Sequence, residues 1–139
     1  NPENEAGKLT LIARLGAGKV GQHMPAFARA VKREGREVVW CCDPMHANTY
    51  TAGGGQKSRK FNDIMAELTS FFVIHQAEGT VPGGVHFELT GENVTECTGG
   101  ARELADQDLD LNYQTSCDPR LNAEQSLEVA FQIAEMIRR

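Results

Sequence analysis

The chain has 139 residues, a formal net charge of −5 and a composition that is 40% hydrophobic and 24% charged. These values are typical of a soluble globular protein, and the length suits one domain and excludes two. The sequence shows no apolar run near the roughly 18 to 20 residues of a membrane span, no secretory signal pattern and no basic stripe for nucleic acid. We therefore predict a cytoplasmic protein that binds neither membranes nor nucleic acid.

Charge is distributed unevenly along the chain. Residues 1–60 carry ten Lys and Arg against five acids, residues 61–100 carry six acids and no Lys or Arg, and residues 101–139 carry eight acids against four bases. The simpler interpretation is that these are solvated faces. The alternative is an anion-binding first part followed by a metal-binding second part.

The cysteines form no CxxC pair and no regular framework; they are Cys41, Cys42, Cys97 and Cys117. In a chain of this length, such spacing favours reduced thiols over disulfides. Reduced thiols agree with the predicted cytoplasmic location.

Segments typical of β-strands alternate with segments of helical periodicity. In chain order the predicted elements are strand 9–15, helix 22–34, strand 38–42, helix 61–78, strand 85–90 and helix 122–138. The first two strands are nearly continuous apolar runs, which is typical of a parallel sheet covered on both faces. Asn122, with Gln125 three residues later, predicts the N-cap of the last helix.

This order of elements predicts an α/β fold with parallel strands joined by right-handed crossovers. Two connections, 43–60 and 91–121, are unusually long, and both follow the carboxyl end of a strand. Because α/β folds bind ligands at that edge of the sheet, we expect functional residues there. In the alternating strand 85–90, His86, Glu88 and Thr90 share one face, and a polar stripe on a covered strand indicates a site or a polar network.

The glycine-rich segment Gly16–Gly21 matches the pattern G-x-G-x-x-G between a strand and a helix. One interpretation is a dinucleotide-binding turn, with Asp43 closing the next strand. A second is an anion-binding nest, in which backbone N–H groups together with Arg14 and Lys19 hold a phosphate. A third is an ordinary turn with solvated cations. The charges of Arg14 and Lys19 make the dinucleotide interpretation the least favoured.

Three dispersed residues, His46, Glu88 and Asp118, are candidate metal ligands. Each is associated with the carboxyl end of a predicted strand or with the loop before the last helix, so all three could converge on one rim. An imidazole with two carboxylates suits Mn²⁺, Fe²⁺, Co²⁺ or Zn²⁺. Taken singly, each has a structural alternative: a polar loop residue, a paired core carboxylate, and a turn or cap residue. We interpret His86 as a neighbouring structural partner and not as a ligand.

Five segments of the sequence resemble one enzyme family. They are LTLIARLGAGKV, VVWCCDPMHANT, QKSRKFNDI, PGGVHFELTGENVTECTGG and CDPRLNAEQSLEVAF. In order and spacing, from about Leu9 onward, they are similar to the C-terminal part of class II 3-deoxy-D-arabino-heptulosonate-7-phosphate (DAHP) synthases. The resemblance implies that residues 1–139 are the C-terminal part of a single catalytic domain, contributing the last three βα units of a (β/α)₈ TIM barrel.

The resemblance also implies a transferase activity. Class II DAHP synthases condense phosphoenolpyruvate with erythrose 4-phosphate to give DAHP and phosphate, the first step of the shikimate pathway to aromatic amino acids. The reaction depends on a divalent metal, for which we expect Mn²⁺ in the first place, with Co²⁺, Fe²⁺ or Zn²⁺ as alternatives.

Motif by motif, the resemblance assigns roles to individual residues. Arg14 matches the arginine that binds the phosphate of phosphoenolpyruvate. The three residues His46, Glu88 and Asp118 match three of the four metal ligands. Further substrate contacts are weaker expectations and concern three cations, Lys19, Lys57 and Arg59; for the last two, a solvated loop is the alternative.

The family's fourth metal ligand is a cysteine in its N-terminal region, and no cysteine of this sequence matches it. Three strands cannot close a barrel that needs about 250 residues, and the sequence begins at Asn1 without Met. We therefore expect the N-terminal part of the same barrel as a partner, a homo-oligomer, and no activity from the segment alone. Two alternatives stay open: a non-catalytic metal- and phosphate-binding module derived from this family and, less favoured, a dinucleotide-binding domain.

Overall fold

Strands and helices alternate through most of the computed structural model, which describes residues 1–138. In chain order the elements are β1 (Thr10–Ala13), α1 (Val20–Arg33), β2 (Val39–Cys42), β3 (Thr49–Thr51), β4 (Lys57–Arg59), α2 (Phe61–Glu78), β5 (Pro82–Val85), a 3₁₀ helix (Asp106–Leu111) and α3 (Ala123–Arg138). The mixed α/β character that the sequence predicts is therefore confirmed. Within the described residues, no helix is long and apolar enough to cross a membrane.

The central sheet contains β1, β2 and β5 in that order, and both strand pairs are parallel, as predicted. The last paired residues of the three strands, Ala13, Cys42 and Val85, lie side by side. The residues that follow them therefore emerge at one edge of the sheet. This edge positions the candidate site.

The helices cover one face of the sheet. Met24 on α1 and Ile64 and Leu68 on α2 are fully buried with Cys42 in a single apolar cluster. Strand residues alternate between faces, so Ile12 points away from this cluster and is 59% exposed. One face of the sheet is thus packed against helices, while the other presents apolar side chains to the surface of the described chain.

The prediction of a strand at residues 85–90 is wrong. The strand is Pro82–Val85, and the segment after it belongs to no regular strand and makes an isolated bridge between Leu89 and Leu121. At Gly83 the neighbouring strand β2 leaves no space for a side chain: a Cβ there would come within 2.9 Å of Val39 Cγ1 and 3.0 Å of the Trp40 carbonyl oxygen. The predicted alternation of faces along 85–90 therefore does not describe a strand.

The long connections contain structure of their own. Strands β3 and β4 form an antiparallel hairpin within the connection after β2, with Tyr50 opposite Ser58. The 3₁₀ helix lies in the second long connection, and its Asp106 accepts a hydrogen bond of 2.6 Å from the Tyr50 hydroxyl. The two connections therefore pack against each other beside the sheet edge.

The helix boundaries agree closely with the prediction. Helix α2 matches 61–78 and ends at Gly79, which adopts a left-handed conformation with φ of 64°. Helix α1 begins two residues earlier than predicted, and α3 begins one residue later. The predicted cap is confirmed: Asn122 Oδ1 accepts the Gln125 N–H at 3.0 Å, and the Gln125 side chain accepts the Asn122 N–H at 3.2 Å. The four cysteines are free thiols, as predicted.

Candidate metal centre

Asp43 orients the imidazole of His46 at the end of β2. The Asp43 carboxylate accepts the backbone N–H groups of Met45 at 3.0 Å and His46 at 3.2 Å, which folds the chain into a tight turn. The same carboxylate lies 2.8 Å from His46 Nδ1, and Asp43 is only 5% exposed. A buried carboxylate behind the ring holds Nδ1 as the donor and leaves Nε2 as the ligand atom.

Three predicted ligands converge in front of Nε2. His46 Nε2 lies 3.3 Å from Glu88 Oε1, and His46, Glu88 and Asp118 each offer a ligand atom within 4.8 Å of the others. One imidazole nitrogen and two carboxylate oxygens suit a divalent transition metal, so the donor set fits the predicted ion. The sequence prediction that these three residues converge on one rim agrees with this geometry.

His86 lies beside this group, directly after β5. Its ring stacks on His46 with centroids 5.9 Å apart, and it forms a second cluster of donor atoms with Asp43 and His46. In that cluster, Asp43 is already bonded to His46 Nδ1. The stacked position supports the interpretation of His86 as a neighbour that packs against a ligand.

A buried arginine bridges the two carboxylates. Arg59, at the end of β4, is fully buried, and its guanidinium donates to Glu88, to Asp118 at 3.5 Å and to the carbonyl oxygen of Pro119. Its Nε donates to the Thr49 hydroxyl across the hairpin at 3.3 Å. The guanidinium therefore stabilises two negative charges that would otherwise repel each other.

Lys57 lies near the carboxylate of Asp118, on the solvent-exposed side of the site. Its ammonium group donates to Asp118, and its side chain is 46% exposed. This hydrogen bond holds the pKa of Asp118 below its usual value, so the carboxylate stays ionised. The site thus contains an ionised oxygen ligand before any cation binds.

Glu96 organises the loop that presents Asp118. This fully buried carboxylate accepts the Thr115 N–H at 2.9 Å and the Arg120 N–H at 2.8 Å, and Arg120 Nη2 lies 2.7 Å from it. Burial alone would raise the pKa of Glu96, but the bonds from Arg120 outweigh burial and lower it. Because the loop is anchored on both sides of Asp118, the position of that ligand is determined by a buried ion pair.

The glycine-rich turn does not present its backbone to an external phosphate. Glu67 on α2 accepts the N–H groups of Leu15 at 2.8 Å and Gly16 at 2.9 Å, and Asn48 accepts the N–H of Ala17 at 2.9 Å. The first donors of the predicted nest are therefore bonded within the protein. These hydrogen bonds contradict both the anion-nest and the dinucleotide interpretation of these N–H groups.

The four predicted substrate cations lie in different environments. Arg14 follows β1 at the functional edge of the sheet, and it is exposed, as is Lys19 before α1. Lys57 and Arg59 lie on β4 and not in a solvated loop. The guanidinium of Arg59 is fully buried against the ligand carboxylates, and its expected phosphate contact stays a prediction.

Comparison with known proteins identifies the family. A family model described as the class-II DAHP synthetase family matches residues 1–134. The chain belongs to that family. Among curated relatives, the chain is 52% identical over 138 residues to phospho-2-dehydro-3-deoxyheptonate aldolase AroG of Mycolicibacterium smegmatis, covering 99% of the chain and 30% of the relative.

A second relative gives the same alignment length. The phospho-2-dehydro-3-deoxyheptonate aldolase of Streptomyces coelicolor is 50% identical over 138 residues, covering 99% of the chain and 31% of the relative. The chain thus spans about 30% of the length of the curated relatives it matches.

Four residues of the chain support the site in roles that the sequence analysis did not predict: Asp43, Arg59, Glu67 and Glu96. The spacing of Asp43 and His46 was the one local signal, since an aspartate three residues before a histidine can close a turn onto it. The partners of the other three lie 10 to 60 residues away along the chain. Local patterns therefore contained no information about them.

Proposed function

We propose that the complete protein containing this chain is a DAHP synthase, which condenses phosphoenolpyruvate with erythrose 4-phosphate and releases phosphate. The observation that supports this most strongly is the convergence of His46, Glu88 and Asp118 at the end of the sheet where Arg14 also emerges. We assign the three residues as metal ligands and Arg14 as the phosphoenolpyruvate phosphate site. Lys19 and Lys57 are secondary candidates for substrate phosphates.

We also propose that β1, β2 and β5 are the last three strands of a (β/α)₈ barrel, within one catalytic domain. Among the described residues, β1 and β5 each pair on one side only, and the sheet face bearing Ile12 is uncovered. Unpaired edges and an apolar open face need partners. The N-terminal part of the same protein would supply them, together with a fourth metal ligand. Cytoplasmic location and homo-oligomerisation stay predictions.

Each charged group of the proposed site has a separate role in binding. A divalent cation, for which Mn²⁺ is the first candidate and Co²⁺, Fe²⁺ or Zn²⁺ are alternatives, supplies Lewis-acid polarisation of the aldehyde oxygen when bound. Arg14 provides a planar fork that matches a phosphate, and Lys57 provides a mobile point charge. Arg59 and Asp43 act behind the ligands, where they hold Glu88 and His46 in place. Such cations allow two phosphates and a carboxylate to lie close together.

The test compares two histidine variants of the complete enzyme. His46→Ala should abolish Mn²⁺-dependent DAHP formation and weaken Mn²⁺ binding measured by calorimetry, because it removes the only nitrogen ligand we assign. His23→Ala, on the exposed face of α1, is the matched control and should behave as wild type. Normal turnover and Mn²⁺ binding in His46→Ala would contradict the proposal. Metal binding without any condensation by the wild type would instead support a non-catalytic module.

A further inference from the structure

A carboxylate that the proposed chemistry does not use lies buried beneath the site. Glu67, on the inner face of α2, is fully buried. Its Oε1 accepts the backbone N–H groups of Leu15 at 2.8 Å and Gly16 at 2.9 Å, and its Oε2 accepts from Asn48 Nδ2 at 2.7 Å. All three partners are neutral donors. A buried charge needs a specific reason to be retained, because burial without a cation is costly.

The donors to Glu67 belong to the segment that directly follows Arg14. On the amino side of Arg14, the carbonyl oxygen of Ala13 accepts the Asp43 N–H at 2.8 Å, which continues the parallel ladder. On its carboxyl side, Glu67 holds the next two N–H groups. The backbone of Arg14 is therefore fixed from both sides, although its side chain is exposed.

Asn48 extends the same network to the loop that bears His46. Its Nδ2 donates to Glu67 and to the carbonyl oxygen of Pro44 at 2.8 Å, while its Oδ1 accepts the Ala17 N–H at 2.9 Å. One amide thus connects the turn after β1 with the turn after β2. Glu67 and Asn48 together therefore connect the segment after Arg14 with the loop that bears His46.

The hydrogen bonds to Glu67 favour its ionised form. Each partner presents an N–H, so a protonated carboxyl would turn its own hydrogen toward a donor. Burial raises the pKa of Glu67, and the bonds from Leu15, Gly16 and Asn48 oppose that rise. A neutral amide at this position would meet the same conflict permanently, since its NH₂ group would face the NH₂ group of Asn48.

We infer that Glu67 is a positioning residue for Arg14: its carboxylate fills the backbone nest after β1 and thereby holds the guanidinium where it binds the phosphate of phosphoenolpyruvate. This inference rests on the proposed function. Glu67 does not touch substrate, so its effect is on binding and not on the reacting atoms. Loss of its charge should therefore raise the KM for phosphoenolpyruvate with little change in kcat.

The experiment uses two variants of the complete enzyme. Glu67→Gln should raise the phosphoenolpyruvate KM about tenfold, the scale of one lost charge-assisted hydrogen bond, and leave kcat within about threefold. Ile64→Val, a cavity mutation in the same helix, should lower Tm without changing either KM.

The results separate the inference from the proposed function. A wild-type enzyme that does not form DAHP would refute the proposed function and the inference with it. An active wild type whose phosphoenolpyruvate KM is unchanged in Glu67→Gln, or a Glu67→Gln variant that lowers kcat as much as it raises the KM, would overturn the inference alone. If Glu67→Gln does not fold, Asn48→Ala replaces it, and an unchanged phosphoenolpyruvate KM in Asn48→Ala would equally overturn the inference.

Discussion

Removing the buried guanidinium of Arg59 should lower the free energy of unfolding by an amount that follows from the structure. Arg59→Met keeps an unbranched apolar side chain but removes the donors to Glu88, Asp118 and the Pro119 carbonyl oxygen. Two carboxylates then face each other without the cation between them. We expect the complete protein to remain folded at neutral pH, but with a markedly lower free energy of unfolding.

The exposure of the carboxylates determines the expected magnitude. Removing one partner of a buried ion pair costs about 3 to 5 kcal/mol. The side chains of Glu88 and Asp118 are 26% and 22% exposed, so water can solvate them in part once the guanidinium is gone. We therefore expect a loss at the lower end of the range, about 3 kcal/mol.

Lys57 provides a matched control because it pairs with the same Asp118. Its side chain is 46% exposed, and exposed pairs contribute about 0 to 1 kcal/mol, so Lys57→Met should lower the stability by less than about 1 kcal/mol. Both variants are measured by denaturant unfolding in the presence of EDTA, which prevents a bound cation from replacing the missing charge. Equal losses in the two variants, or a loss below about 1 kcal/mol for Arg59→Met, would refute this reasoning.

Two further predictions concern stability. His75 is fully buried against Trp40 and Phe71, and burial lowers its pKa from 6.5 to about 4. As the pH falls, the unfolded chain takes up this proton before the folded protein does. The wild type should therefore lose about 3 kcal/mol of stability between pH 7 and pH 4 that the His75→Phe variant does not lose. Denaturant unfolding at each pH measures the two profiles, and parallel profiles would contradict the prediction. Asn122→Ala removes the N-cap of α3 and should lower the free energy of unfolding by about 1 to 2 kcal/mol in the same assay. Asn62→Ala, at an exposed position, is the control. Similar losses in both variants would contradict a stabilising N-cap at Asn122.

Helix positions followed from local information, and so did much of the sheet. The spacing of apolar residues along α2 and the Gly79 stop are properties of neighbouring residues, so the prediction of 61–78 is confirmed to the residue. The capping pair Asn122 and Gln125 is likewise separated by one helical turn. Strands β1 and β2 lie within apolar runs that a buried parallel sheet requires.

The third strand shows where local information fails. The alternating segment 85–90 resembles a strand more than PGGV does, because glycine has low β propensity. The structure nevertheless pairs this segment with β2, which approaches Gly83 so closely that a Cβ there would collide with Val39 and with the Trp40 carbonyl oxygen. Packing against a distant segment overrode the local preference.

The same distinction between local sequence and distant contacts applies to the candidate site. By itself, the sequence determined which residues could bind a metal: His46, Glu88 and Asp118 have the right donor atoms and follow strand ends or precede a helix. Only the tertiary structure decided what holds them, because Arg59 and Glu67 act on segments far from themselves in the chain. A buried charge is defined by the partners that surround it, and those partners are brought together only by folding.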